Sequence, residues 1–189
     1  MRYRFLSLGA LAVMVCAVAQ GRECSGVSFS EQLQSEAGPL VLNGLGMRQA
    51  TVFKVDVYVG ALYLTKPSTD AKAILDSGSP YAVVMQFVRN VGAKDIAKGW
   101  SEGFDRNDHD QLPALSARIA TLTSWMSDIK TGQRLQFVSK PGAGLEVNVN
   151  GTVKGLISGA DFARAFLSIW LATPPNPEIK VGMLGGHCN

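Results

Sequence analysis

The chain has little charge, few cysteines and almost no histidine. Of 189 residues, 17% are charged, three are Cys and two are His. That little charge excludes a long charged coiled coil, and 47% hydrophobic residues exclude a disordered tail. Its 20 Gly and 8 Pro follow no collagen-like period. No apolar run reaches the ~20 residues of a membrane-spanning helix. No cluster of Lys and Arg offers the positive field that nucleic acid requires. There is no Gly-x-Ser-x-Gly, phosphate loop or His-Glu-x-x-His. His109 lies among acidic residues and reads as part of a solvated loop. His187 sits in a Gly-Gly-His-Cys tail. A metal site needs two or more placed ligands, so neither metal nor resident cofactor is expected.

The first nineteen residues read as an export signal. Arg2 and Arg4 precede an apolar run from Phe5 to Val18. Ala17-Val18-Ala19 then gives a small-x-small cleavage site, so Gln20 is the expected mature start. An uncleaved N-terminal anchor is the alternative. Removing Arg2 and Arg4 from 18 basic residues leaves sixteen against 15 acidic ones, a net charge of +1. Cys16 leaves with the signal. Cys24 and Cys188 remain, and in an oxidising compartment they most simply pair; two free thiols are the alternative. A periplasmic or secreted protein is expected, with residues 20–189 as a single domain.

Hydrophobic periodicity divides the mature chain into strands and helices. Residues 20–38 read as a leader strand or loop. Leu40–Leu42 is an apolar run ended by an Asn43-Gly44 turn. Arg48 to Leu64 reads as one long strand rich in Val, Tyr and Leu. Its odd positions, Phe53 to Tyr63, form an apolar face. Its even positions put Arg48, Lys54, Asp56 and Tyr58 together on the other face. A short helix is expected near Asp70–Asp76 and a strand at Tyr81–Val88. In a helix over Gly92–Phe104, Ile96, Trp100 and Phe104 share one side. Asn107–Asp110 reads as a polar loop, and a further helix from Pro113 to Ile129. Strands follow at Arg134–Ser139, Leu145–Val149 and Thr152–Leu156, the last two joined by Asn150-Gly151. A last helix, Gly159–Ala172, is stopped by Pro174, Pro175 and Pro177. This order predicts an α+β fold, an antiparallel sheet covered by a helical layer.

The candidate ligand-binding residues are Arg48, Tyr58, Trp100 and Lys54. Arg48 is a permanent cation whose planar fork suits a carboxylate. Tyr58 adds a phenol hydroxyl and an amphipathic ring. On a straight strand they stand roughly 33 Å apart, so they meet at one ligand head only if the chain bends. Arg48 could instead pair with Asp56, Lys54 could be a rim charge, and Trp100 could be core.

At these residues the sequence resembles the chalcone isomerase-like family. The resemblance lies in Asn43-Gly44-Leu45-Gly46-Met47-Arg48 and in the run Phe53 to Leu64. It extends more loosely to residues 155–171 and to Leu184-Gly185-Gly186. It implies an open β-sandwich with a ligand cleft between sheet and helices. Chalcone isomerases hold the reacting oxyanion with an arginine that matches Arg48. Their threonine position matches Tyr58, their tyrosine falls near Ala93, their asparagine near Trp100 and a hydroxyl residue near Ala163. Most of the bond-forming set is therefore replaced. The family's fatty-acid-binding branch pairs the arginine with a tyrosine, as Arg48 and Tyr58 would. The resemblance thus implies a non-catalytic binder of a fatty acid or similar amphipathic carboxylate, and a monomer is expected. An isomerase of a chalcone-like substrate and a haem binder using His109 or His187 are the alternatives.

Overall fold

A computed structural model describes residues 21–51 and 53–188. The expected export signal lies outside the described residues. Strands β1 (Gly21–Cys24) and β2 (Val27–Ser30) form a separate hairpin. Strands β3 (Gln32–Ser35), β4 (Gly38–Ala50) and β5 (Val55–Leu64) then begin the main sheet. Helix α1 (Ala71–Asp76) leads to β6 (Tyr81–Phe87), α2 (Ala93–Asp108) and α3 (Leu112–Ser124). Strands β7 (Arg134–Lys140), β8 (Gly144–Val149) and β9 (Thr152–Ser158) complete the sheet. Helices α4 (Ala160–Leu171) and α5 (Pro177–Met183) end the described fold. β3 to β9 lie side by side in chain order, each antiparallel to the next. The fold is α+β, a curled antiparallel sheet with helices, as the sequence implies.

Both faces of this sheet are covered. On one face, Leu62, Val83, Leu135 and Phe137 meet Phe104, Phe162, Phe166 and Trp170 from the helices. On the other, Val59, Ala61, Ala82 and Val84 meet Val27 and Phe29 of the β1–β2 hairpin. Two-sided burial explains why residues 58–64 are apolar at nearly every position rather than at alternate ones. Phe53, assigned by parity to the apolar face, is 85% exposed. The disulfide Cys24–Cys188 ties the β1 end to the C-terminal tail, with Cα atoms 5.8 Å apart.

The expected single strand from Arg48 to Leu64 is instead two strands and a tight turn. Thr51 and Lys54 have φ of +63° and +49°, which reverses the chain between β4 and β5. The expected turn at Asn43-Gly44 is absent, and β4 runs through it with a bulge. The Asn43 side chain is buried and bonds across elements. Its Nδ2 donates to Met183 O at 2.8 Å and Ser68 O at 3.0 Å, and its Oδ1 accepts from Ser68 N.

The helices also depart from expectation. The polar stretch around Asp108 is the end of α2 and a 3-10 turn. Asp108 is buried there, and Ser168 Oγ of α4 donates to its Oδ2 at 2.6 Å, which offsets the cost of burying the carboxylate. α3 stops at Ser124, five residues short of Ile129. α5 was not expected, because three prolines precede or open it. It packs on β4, where Gly44 and Gly46 let its backbone approach. A Cβ on Gly46 would meet the Ile179 backbone, and one on Gly182 would meet Leu45 O.

Candidate functional site

The β4–β5 turn makes Arg48 and Tyr58 direct cross-strand partners. Tyr58 is in turn the partner of Phe87 on β6. Directly opposed residues on an antiparallel pair have Cβ atoms about 5 Å apart. The separation that a straight strand would impose therefore disappears. The Tyr58 and Phe87 ring centroids are 5.5 Å apart.

This row forms part of the wall of a cleft of about 600 Å³ between β4–β6 and α2. Met85 and Phe87 supply apolar surface from the sheet, and Ile96 and Trp100 supply it from α2. Of the expected site residues, the cleft brings together Arg48, Tyr58 and Trp100. Lys54 does not line it. It lies on the exposed β4–β5 turn, with Nζ 3.6 Å from Glu178 Oε1. Asp56 does not pair with Arg48; it accepts from Gln49 Nε2 at 2.8 Å.

Arg48 is half-buried and makes no ion pair among the described residues. Its Nη1 reaches Asn176 Oδ1 at 3.5 Å, a long contact. Asn176 is itself fixed, because its Oδ1 accepts from Gln49 N and its Nδ2 donates to Met47 O. The guanidinium thus keeps most of its five donors for something else.

Tyr58 is buried, and its hydroxyl accepts a bond from Trp170 Nε1 at 3.0 Å. None of the described residues accepts the phenol proton. Burial pushes the phenol pKa up to about 12, partly offset by the Trp170 bond and the charge of Arg48. Tyr58 is therefore a neutral donor at physiological pH, with its oxygen position set by Trp170. Trp100 packs edge-on to Phe137 and Trp170, and its buried Nε1 has no partner among the described residues. Chemically, the row beside Phe87 offers an anion the unpaired Arg48 guanidinium and the Tyr58 phenol donor, and the cleft offers an apolar tail the rings beyond them.

Several cleft residues were not picked out from the sequence. Arg89 follows β6 and Arg106 lies on α2, both exposed at the cleft. Gly99 also lines it, and a Cβ there would meet nothing within 4 Å. One helical turn on, Gly103 is packed against Ile169 of α4. A mid-helix glycine pair four residues apart was the available signal. Glycine costs about 1 kcal/mol there, so such a pair implies a spatial reason.

Neither histidine lines the cleft. His109 is exposed and its Nδ1 lies 2.7 Å from Asp105 Oδ1, which holds the imidazole pKa above its usual value. Among the described residues no group of three or more His, Cys, Asp or Glu is arranged to hold a metal ion. No helix among them is long and apolar enough to cross a membrane.

The fold is shared with a solved structure. The crystal structure of an Arabidopsis thaliana fatty-acid binding protein, AtFAP1, superposes with a TM-score of 0.65 at 14% sequence identity. The match covers 85% of this chain and 92% of that one. No curated protein matches the sequence. A family model described as chalcone isomerase-like matches residues 21–185. Because that match runs from the first strand to just past the last helix, the chain belongs to the chalcone isomerase-like family.

Proposed function

We propose that this protein is an exported, non-catalytic and monomeric binding protein for a fatty acid or a similar amphipathic carboxylate. The carboxylate sits against Arg48 and Tyr58, and the tail runs along Phe87, Ile96 and Trp100. The observation that carries this reading is the cross-strand pairing of an unpaired guanidinium with a phenol that has a free proton, at an apolar cleft. An anion in a water-poor cleft needs a fixed cation and a donor. A tail gains about 0.8 kcal/mol for each buried methylene. The fatty-acid binding protein with this fold supports the ligand class. The signal-like N-terminus and the disulfide support export.

Native mass spectrometry of gently purified protein should show a bound lipid, and denaturing extraction should release a carboxylic acid. Arg48→Ala should weaken fatty-acid binding by about 10- to 100-fold, since charge-assisted bonds are worth about 1.5–3 kcal/mol. Unchanged occupancy in Arg48→Ala removes the head-group assignment. Gly99→Leu should reduce tail binding from the opposite wall by filling the cleft. Cyclisation of a chalcone should stay at its background rate.

A further inference from the structure

The β4–β5 turn carries an unusual sequence for its conformation. Tight turns favour Gly, Asn or Asp where φ is positive. Here the described turn residues Thr51, Phe53 and Lys54 are none of these, and Thr51 is a β-branched residue at φ +63°. Such a residue in the left-handed region is a true outlier and costs free energy. The turn is nonetheless held: Lys54 N donates to Thr51 O at 3.2 Å, and Phe53 N donates to Thr51 Oγ1 at 3.3 Å. Its effect is to present Phe53, 85% exposed, with Lys54 beside it. Among the large hydrophobic residues described, Phe53 is the most exposed.

The turn stands at the cleft. Ala50 and Thr51 line it, and Phe53 follows two residues later. The cleft lining also concentrates positive charge. It holds Arg48, Arg89, Lys98 and Arg106 against Asp95 and Glu102. The rest of residues 20–189 hold twelve basic and thirteen acidic residues, so the excess of cations lies around the cleft. Lys98 is met by Glu102 at 3.7 Å, but Arg89 and Arg106 make no ion pair among the described residues.

We infer that this rim is a docking surface for an anionic lipid bilayer. Phe53 enters the headgroup–acyl boundary, and the unpaired Arg89 and Arg106 meet the negative headgroups. The cleft then opens onto the bilayer, and the ligand passes between membrane and protein without crossing water. This rests on the amphiphile-binding reading above, since only a poorly soluble ligand gains from such a route.

The mature protein is tested by co-sedimentation with vesicles of phosphatidylcholine alone and with added phosphatidylglycerol. Binding is expected only with the anionic lipid, and should weaken steeply as salt is raised. Phe53→Ser should lower vesicle binding about tenfold, as expected for loss of one buried aromatic ring. Because Phe53 is exposed and does not line the cleft, affinity for a soluble fluorescent fatty acid should be unchanged in that variant. Arg89→Gln with Arg106→Gln should flatten the salt dependence. Transfer of the fluorescent acid from vesicles should speed up with vesicle concentration. Equal binding to both vesicle types, no binding to either, or full binding by Phe53→Ser overturns the inference. Soluble fatty-acid binding without vesicle binding removes only the docking surface. Vesicle binding without soluble fatty-acid binding removes only the proposed ligand.

Discussion

Tyr58 has two polar duties inside an apolar wall. It accepts from Trp170 Nε1, and its own proton is left for the cleft. Tyr58→Phe keeps the ring contact with Phe87 but leaves the Trp170 indole donor unpaired. That change should cost about 1–3 kcal/mol of stability, measured by urea unfolding at neutral pH, and should also weaken fatty-acid binding. Its neighbour Arg48 works differently. The guanidinium is half-buried with one long bond to Asn176, so Arg48→Ala should change ligand affinity far more than stability. The residue types at both positions were legible in the sequence. Their adjacency was not, because it depends on a turn with neither glycine nor proline at Thr51–Lys54. Lys54 shows the converse. Its place on the same apparent strand face put it with the site, and the turn carries it to Glu178 instead.

At the scale of elements, glycines decide how closely helices approach. Gly46 of β4 faces the Ile179 backbone of α5, so Gly46→Ala has no room. A loss of about 3 kcal/mol is expected, at the upper end of overpacking costs, with easier proteolysis near α5. Gly99 is the opposite case. It lies inside α2 with open space where a Cβ would go. Gly99→Ala should therefore stabilise the protein by about 0.5–1 kcal/mol through helix propensity alone, read as a raised melting temperature. β6 to β9, α2 and α4 were readable because their periodicity is strong, whereas the short β1 to β3 read only as a leader strand or loop and β4 and β5 were not told apart. α5 was not, because a seven-residue helix opening on Pro177 has little pattern of its own. It holds its place through Ile179 and Met183, both fully buried.

For the whole molecule, two features set the response to conditions. Of the four tyrosines, Tyr3 lies outside the described residues, and Tyr58, Tyr63 and Tyr81 all sit in the fold with raised pKa values. Desolvation pushes Tyr58 and Tyr63 up to about 12, and Tyr81 higher still. The folded state thus keeps protons that the unfolded chain gives up near 10. This stabilisation is complete below pH 10 and is lost as pH rises through about 12. Urea midpoints should change little with phenol ionisation up to pH 10 and fall above it, with phenolate absorbance appearing together with unfolding. The Cys24–Cys188 bridge spans 164 residues, for which the chain-entropy model gives about 5 kcal/mol. Cys24→Ser with Cys188→Ser should lower the melting temperature markedly, and reductant should do the same to the native protein.

The amino-acid order by itself determined the α+β class, the family resemblance, the aromatic stripe of α2 and the chemistry of Arg48 and Tyr58. These follow from local periodicity and from side-chain types, which need no partner to be read. Tertiary structure decided that β4 and β5 are a hairpin, that Arg48 and Tyr58 line the same cleft, that Lys54 does not, and that Asp108 is buried. Each of these depends on which distant backbone segment lies alongside, and such placement is fixed by packing on both faces of the sheet at once rather than by any local stretch of chain.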